Sequence, residues 1–284
     1  MKINNAYVLH YPIYAPSIPE QKRIASFFTV LDKKIAQLRE KKTLLEEYKK
    51  GVMQKLFAAP HCPNHGLDGL KNFTNDEAGQ KSVSSGNPCC LRFRQDNGKE
   101  YPKWEKRKLG ELLEFKNGIN ASKEQYGSGY KFINVLDILN NNFITNDKII
   151  GKVDISETVF TKYSVKYGDV LFQRSSETRE EVGIANVYLD KDKSATFGGF
   201  VIRGRKIGEY EPTFFNSLLK TDLAREQITS KSGGSTRYNV GQDVLSSVIL
   251  NFPSLPEQTK IANFLSSIDD KNKRADQKQL SLTF

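Results

Sequence analysis

Two short polar runs hold the residue types that read nucleic-acid bases. The first is QRSSETR at 173–179, with Gln173, Arg174, Ser175, Ser176, Thr178 and Arg179. The second is KSGGSTRYN at 231–239, with Lys231, Ser235, Thr236, Arg237, Tyr238 and Asn239. An arginine pairs bidentately with guanine, a glutamine with adenine, a glutamate accepts from cytosine, and hydroxyls serve base or backbone. Glycines such as Gly233 and Gly234 let the backbone approach a ligand closely. By composition alone both runs are ordinary polar surface turns, so their weight depends on the elements that carry them.

Signatures of catalysis are mostly missing. There is no G-x-x-x-x-G-K-[ST] phosphate loop, no G-x-S-x-G elbow, and Gly127-Ser128-Gly129 lacks the third glycine of a dinucleotide site. NPCC at 87–90 is not the Asp/Asn-Pro-Pro-aromatic tetrad of an adenine methyltransferase. Asp96, Glu114 and Lys116 have the letters of a metal-dependent nuclease, but no Pro-Asp precedes them. His61, Cys62, His65, Cys89 and Cys90 all fall in the stretch 58–100, and a zinc site could be assembled from four of them. They lack a C-x-x-C knuckle, and the adjacent pair Cys89 and Cys90 chelates one ion awkwardly, so no metal site is expected.

The chain has 284 residues, 38% of them hydrophobic, and a net charge of +10. It is long enough for one or two domains and apolar enough to bury a core. No apolar run approaches the roughly 20 residues of a membrane helix, and no signal peptide opens the chain. Three cysteines are too few for a disulfide framework, which fits a reducing cytoplasm. A basic surplus makes a polyanion the first partner to test. Half of that surplus, +5, falls on residues 17–57, whereas 101–252 carries +3.

An internal repeat organises the rest. PSIPEQKRIASFFTVLDKK at 16–34 and PSLPEQTKIANFLSSIDDK at 253–271 share ten of 19 positions. Each copy predicts a helix start. Ser17 with Glu20, and Ser254 with Glu257, have capping-box spacing, while Pro19 and Pro256 sit in the first turn. In the first copy Ile24, Leu31, Leu38, Leu45 and Val52 recur every seven residues, with Phe28 and Ile35 on the same face. This spacing predicts a coiled-coil-like helix from about Ile18 to Phe57, on the order of 60 Å long. The second copy keeps Ile261, Leu265 and Ile268 and then loses its stripe, so a shorter helix is expected there.

These features divide the chain into five parts. Residues 1–16 read as the tail of a preceding domain, 17–57 as a spacer helix and 58–100 as a linker rich in Pro, Gly, Asn and Ser. Residues 101–252 form the central domain and 253–284 the second helix. The expected fold is a mixed α/β domain flanked by long amphipathic helices. Strands are expected at 132–138, 169–174, 182–189, 200–203 and 246–252, with one helix at 212–228.

The sequence resembles the specificity subunits of type I restriction-modification systems. The resemblance rests on the two PS-[IL]-PEQ-x-[KR]-IA-x-F starts, WEKRKLGELLEFKNG at 104–118, GDVLFQRSSETREEVGIANVYL at 168–189, GFVIR at 199–203 and GGSTRYN at 233–239. It implies a non-catalytic DNA-reading subunit that recognises half of a split site in double-stranded DNA. It further implies methyltransferase subunits and a motor-nuclease subunit as partners, which would bring S-adenosylmethionine, ATP and Mg. No cofactor is then expected in this chain. One recognition domain where the family has two suggests a half-subunit or a truncated or rearranged form, able to pair with a second copy through the helices. The rival expectations are a coiled-coil assembly protein whose central domain holds a protein, and a nuclease built around Asp96 and Glu114.

Overall fold

The computed structural model describes residues 15–58, 91–234 and 237–283. Residues 1–14, the grouped His61, Cys62, His65, Cys89 and Cys90, and Ser235 and Thr236 of the second polar run lie outside the described residues. The chain divides into two compact units, Met1–Lys49 with Ser267–Phe284, and Lys50–Ser266.

Helix α1 runs from Ile18 to Phe57. Strand β1 (Glu105–Lys108), the one-turn helix α2 (Leu109–Leu112), β2 (Leu113–Asn117) and β3 (Tyr126–Ile133) come next, then α3 (Val135–Leu139), β4 (Lys152–Val153) and α4 (Glu157–Lys162). They are followed by β5 (Val170–Gln173), β6 (Ser175–Ser176), β7 (Ala185–Val187), β8 (Thr196–Phe197) and β9 (Val201–Lys206). Helices α5 (Pro212–Leu218) and α6 (Asp222–Ser230), β10 (Tyr238–Asn239), α7 (Gln242–Ser246) and β11 (Ile249–Phe252) lead into α8 (Leu255–Thr283).

In the larger unit an antiparallel sheet of order β2-β9-β5-β7 forms the spine. Its central strand β5 is buried at every position, which explains the uninterrupted VLFQ run. Leu171 packs with Ile133, Ile138, Val165, Tyr188, Phe197 and Val201 in one core cluster. Phe172 meets the ring of Phe115 at 5.8 Å. A chain of aromatic contacts at 4.5–6.2 Å links Phe57, Phe214, Phe252, Phe215 and Tyr210. Such pairs add about 0.5–1.5 kcal/mol each beyond their buried area. Antiparallel β1 and β11 join the two ends of this unit's sheet region, with Glu105 opposite Phe252 and Lys108 opposite Ile249.

Several local expectations change. The run 132–138 is strand only to Ile133. The Asn134 N–H then donates to Asp137 Oδ2 at 2.7 Å in a capping box that starts α3. The single helix expected over 212–228 breaks into α5 and α6, because the Thr221 hydroxyl accepts the Ala224 N–H and restarts the helix. The strand expected at 182–189 is confined to β7, after a turn at Gly183 with φ of 68°. Residues 91–100, the described part of the expected linker, pack into the larger unit. Arg94 bridges Glu100 across a turn at Gly98, and Phe93 stacks edge-on against Phe264 at 5.7 Å.

Both repeats start their helices with the same lock, and it is carried by a glutamine. The Gln21 side-chain amide donates to the Pro16 carbonyl at 2.8 Å, and Gln258 does the same to Pro253 at 2.9 Å. The capping box expected in the second copy does not form. The Ser254 hydroxyl is buried without a partner, and Glu257 turns away to Arg92.

In the smaller unit α1 and α8 run antiparallel, tied by Lys42 to Asp276 at 2.8 Å and by Lys49 to Asp269 at 2.6 Å. Of the expected packing residues, Ile268 is buried and Leu31, Ile35, Leu38 and Leu45 are half-buried, while Ile24 and Phe28 are 43% and 54% exposed. Val52, Ile261 and Leu265 are buried in the larger unit. Among the described residues no helix is long and apolar enough to cross a membrane.

Candidate nucleic-acid interface

The two polar runs meet in space. At the end of β5 the Arg174 N–H donates to the Phe200 carbonyl at 2.8 Å, and the Arg174 carbonyl accepts from the Val240 N–H at 3.0 Å. These bonds lock the chain between its neighbours, so the next two residues form β6. That strand pairs antiparallel with β10, with Ser175 opposite Asn239 and Ser176 opposite Tyr238. The Ser175 hydroxyl donates to Asn239 Oδ1 at 2.5 Å. Asn239 exchanges two backbone hydrogen bonds with Gly233, at 2.8 and 3.1 Å, which closes the second run into a tight loop. Gly234 has φ of 134°, and a Cβ there would sit 1.9 Å from the Arg237 carbonyl oxygen, so the turn requires glycine.

Exposure sorts the candidate readers. Arg174, Thr178, Arg179, Lys231, Arg237 and Asn239 are exposed, and Ser175 and Tyr238 are half-buried. Arg237 lies 3.8 Å from Glu177, a loose surface pair that leaves its guanidinium available. Three cations are partly tethered: Arg174 to the Gly199 carbonyl, Arg179 to the Thr229 carbonyl, and Lys231 to Ser247. Gln173 and Ser176 correct the sequence reading. Gln173 is 3% exposed and donates to the Ser175 carbonyl, and Ser176 is 8% exposed with its hydroxyl on Glu181. Both shape the loop from beneath rather than presenting polar atoms to a duplex.

Support comes from the β5 and β9 strands. Asp169, just before β5, is almost fully buried. It pairs with Arg205 at 3.2 Å and accepts the N–H groups of Lys166 and Lys206. Burial pushes its carboxyl above the usual range, against the pull of Arg205. Arg203 and Arg205 both donate to the Ser164 carbonyl at 2.5 Å. Nearby, burial and the charge of Arg203 lower the Lys116 ammonium below its ordinary value.

Sequence reasoning missed two features of this face. Glu181, the anchor under Ser176, carries no motif that marks it. Phe200 is 65% exposed beside Arg174, which its place in the expected strand 200–203 does not mark. It rims a cleft of about 330 Å³ that is also lined by Asn120, Tyr126 and Leu136. The nuclease letters do not converge. Asp96 is ion-paired to Lys260 at 2.6 Å and Glu114 stands opposite Arg205 in the sheet. Among the described residues no group of three or more His, Cys, Asp or Glu is placed to hold a metal.

A mixed α/β unit that gathers two polar loops in a short ladder beyond the end of its inner strand β5 matches a defined class. The family model of the type I restriction modification DNA specificity domain covers residues 101–282, and the chain belongs to that family. It is 26% identical over 285 residues to a putative type I restriction enzyme MjaX specificity subunit of Methanocaldococcus jannaschii, an alignment spanning 98% of this chain and 57% of the relative. It is 24% identical over 153 residues to the type I restriction enzyme EcoKI specificity subunit of Escherichia coli K12, covering 53% of this chain and 32% of that protein. Two solved structures share the fold. The HsdS subunit of Thermoanaerobacter tengcongensis has a TM-score of 0.50 and 17% identity over 95% of this chain and 58% of its own. The type I S subunit of M. genitalium has a TM-score of 0.51 and 14% identity over 94% of this chain and 58% of its own. The chain thus spans a little over half the length of these relatives, and about a third of the EcoKI subunit in the aligned region.

Proposed function

We propose that this chain reads one half of a split site in double-stranded DNA as the non-catalytic specificity component of a type I restriction-modification complex. The observation that carries this reading is the pairing of β6 with β10, which brings the exposed Arg174, Arg237 and Asn239 beside the half-buried Ser175. In this reading methyltransferase subunits modify adenine and a motor-nuclease subunit cleaves. S-adenosylmethionine, ATP and Mg belong to those partners, none belongs to this chain, and the complex works in the cytoplasm.

Methylome sequencing of cells carrying this chain with its partner subunits tests the reading, and a methylated motif that disappears with the chain supports it. In the assembled complex Arg237→Ala should weaken specific binding by about 1–3 kcal/mol and relax one position of the motif. A wild-type complex that binds all sequences equally would remove the reading.

The internal repeat supports pairing with a second recognition domain, most simply from another copy of this chain. Ile261 and Leu265 of the second copy are buried to 0% and 1% exposure, whereas their counterparts Ile24 and Phe28 are exposed. The same sequence pattern is thus covered at one site and open at the other. A palindromic split motif in the methylome supports two identical copies, and an asymmetric motif supports a different second reader.

A further inference from the structure

We infer that Phe200 is a specificity-determining residue, whose ring takes the C5 methyl of a thymine in the half-site; this rests on the DNA-reading function proposed above. The first reason is position. The Phe200 carbonyl accepts the Arg174 N–H at 2.8 Å, and the neighbouring Gly199 carbonyl accepts from Arg174 Nη1 at 3.3 Å. The Phe200 backbone is therefore bonded to the same piece of chain that presents the first polar run.

The second reason is what surrounds it. A single exposed aromatic means little, but Phe200, Leu136 and Tyr126, at 65%, 66% and 48% exposure, ring one cleft. A Cβ on Gly199 would sit 1.9 Å from the Asn120 amide oxygen, so the Asn120 side chain packs directly on the backbone that precedes the ring. An apolar patch joined to the first polar run through the Arg174 bonds to Gly199 and Phe200 suits a ligand that is itself part polar and part apolar.

The third reason is chemical. In the major groove thymine offers an acceptor and a methyl, and the methyl is read by apolar contact. Apart from the Tyr238 ring, the exposed side chains of the two polar runs supply hydrogen bonds and charge. Phe200 supplies an apolar reader beside Arg174 on the same edge.

The test uses the complex of this chain with its methyltransferase subunits and a duplex bearing the methylated motif. Each thymine of the half-site is replaced in turn by deoxyuridine, which removes only the methyl. At one position the wild-type complex should bind about four-fold more weakly, the effect of one buried methyl. Phe200→Ala should bind the thymine duplex more weakly and no longer distinguish thymine from uracil there. Should that variant lose its fold by thermal melting, Phe200→Gln is read in the same way. A half-site without thymine, a wild-type complex indifferent to every replacement, or a variant that keeps the full preference overturns the inference. Absence of any sequence preference in the wild type would instead overturn the DNA-reading function itself.

Discussion

The Glu257 carboxylate, with no exposure to solvent, is gripped by the Arg92 guanidinium at 3.0 and 3.3 Å. Arg92 also donates to the carbonyls of Tyr101 and Pro102, so one side chain ties the start of α8 to the entry of the recognition domain. Arg92→Ala should cost about 3–5 kcal/mol in urea unfolding at neutral pH, because it leaves a buried carboxylate unpaired. Burial already raises the Glu257 pKa, with Arg92 opposing, and removing Arg92 raises it further. A raised carboxyl binds its proton more tightly in the folded state. The deficit should therefore shrink as pH falls toward the carboxylate range and be full above the folded pKa. Adding Glu257→Gln to Arg92→Ala should recover part of the loss.

Gly234→Ala should disable the proposed reading edge while sparing the core. Its φ of 134° and the nearby Arg237 carbonyl force the loop to shift, at a local cost of about 1–3 kcal/mol. The melting temperature should fall by only about 2–4 °C per kcal/mol of that cost, with the domain still folded, whereas preference for specific over random DNA should collapse.

Tyr188 makes a prediction at alkaline pH. It is fully buried, its hydroxyl donates to the Lys193 carbonyl at 2.7 Å, and burial chiefly pushes its pKa up to about 12. Its contribution is complete below pH 10, the unfolded value, and is lost as pH rises from there toward 12, at about 1.4 kcal/mol per unit. Tyr188→Phe should cost about 1 kcal/mol at pH 8 for the lost hydrogen bond. It should also lose stability less steeply between pH 10 and 11 by urea titration, although Tyr210, raised in the same direction, keeps some slope.

The open end of α1 yields a fourth expectation. Joint replacement Ile24→Asp and Phe28→Asp should leave unfolding of the larger unit unchanged, since both residues are exposed. Sedimentation of the chain with its partner subunits should nevertheless show smaller assemblies than wild type. Unchanged assembly would mean that this face takes no partner.

The long elements were legible because their signal is repeated. The proline-marked start and the seven-residue spacing predict α1 from about Ile18 to Phe57, where it runs, and the run at 169–174 predicts β5. Short elements decided by one local bond were not legible. An apolar run hid α3 until Asn134 and Asp137 were seen to cap it, and Thr221 divided a helix that composition reads as continuous. Residues 91–100 looked like linker because their partners, Glu257, Lys260 and Phe264, lie more than 160 positions away.

The ladder of β6 and β10 was half legible. Residue types named Arg174, Ser175, Arg237 and Asn239, but nothing in two-residue strands announces that β6 and β10 pair. Nor could composition show that Gln173 and Ser176 point inward, since both have side chains that suit either a loop support or a base contact.

Ser175 and Asn239 lie 64 residues apart, and the strands they join are two residues long. So short a ladder cannot offset the entropy of closing that loop by itself, so it must wait until β5, β9 and α6 have already drawn the ends together. In kinetic terms the edge is a late product of folding and an early casualty of local opening. Competence to discriminate DNA would then report on the completeness of the whole domain, and a partly folded chain would keep only the sequence-blind attraction of its basic charge.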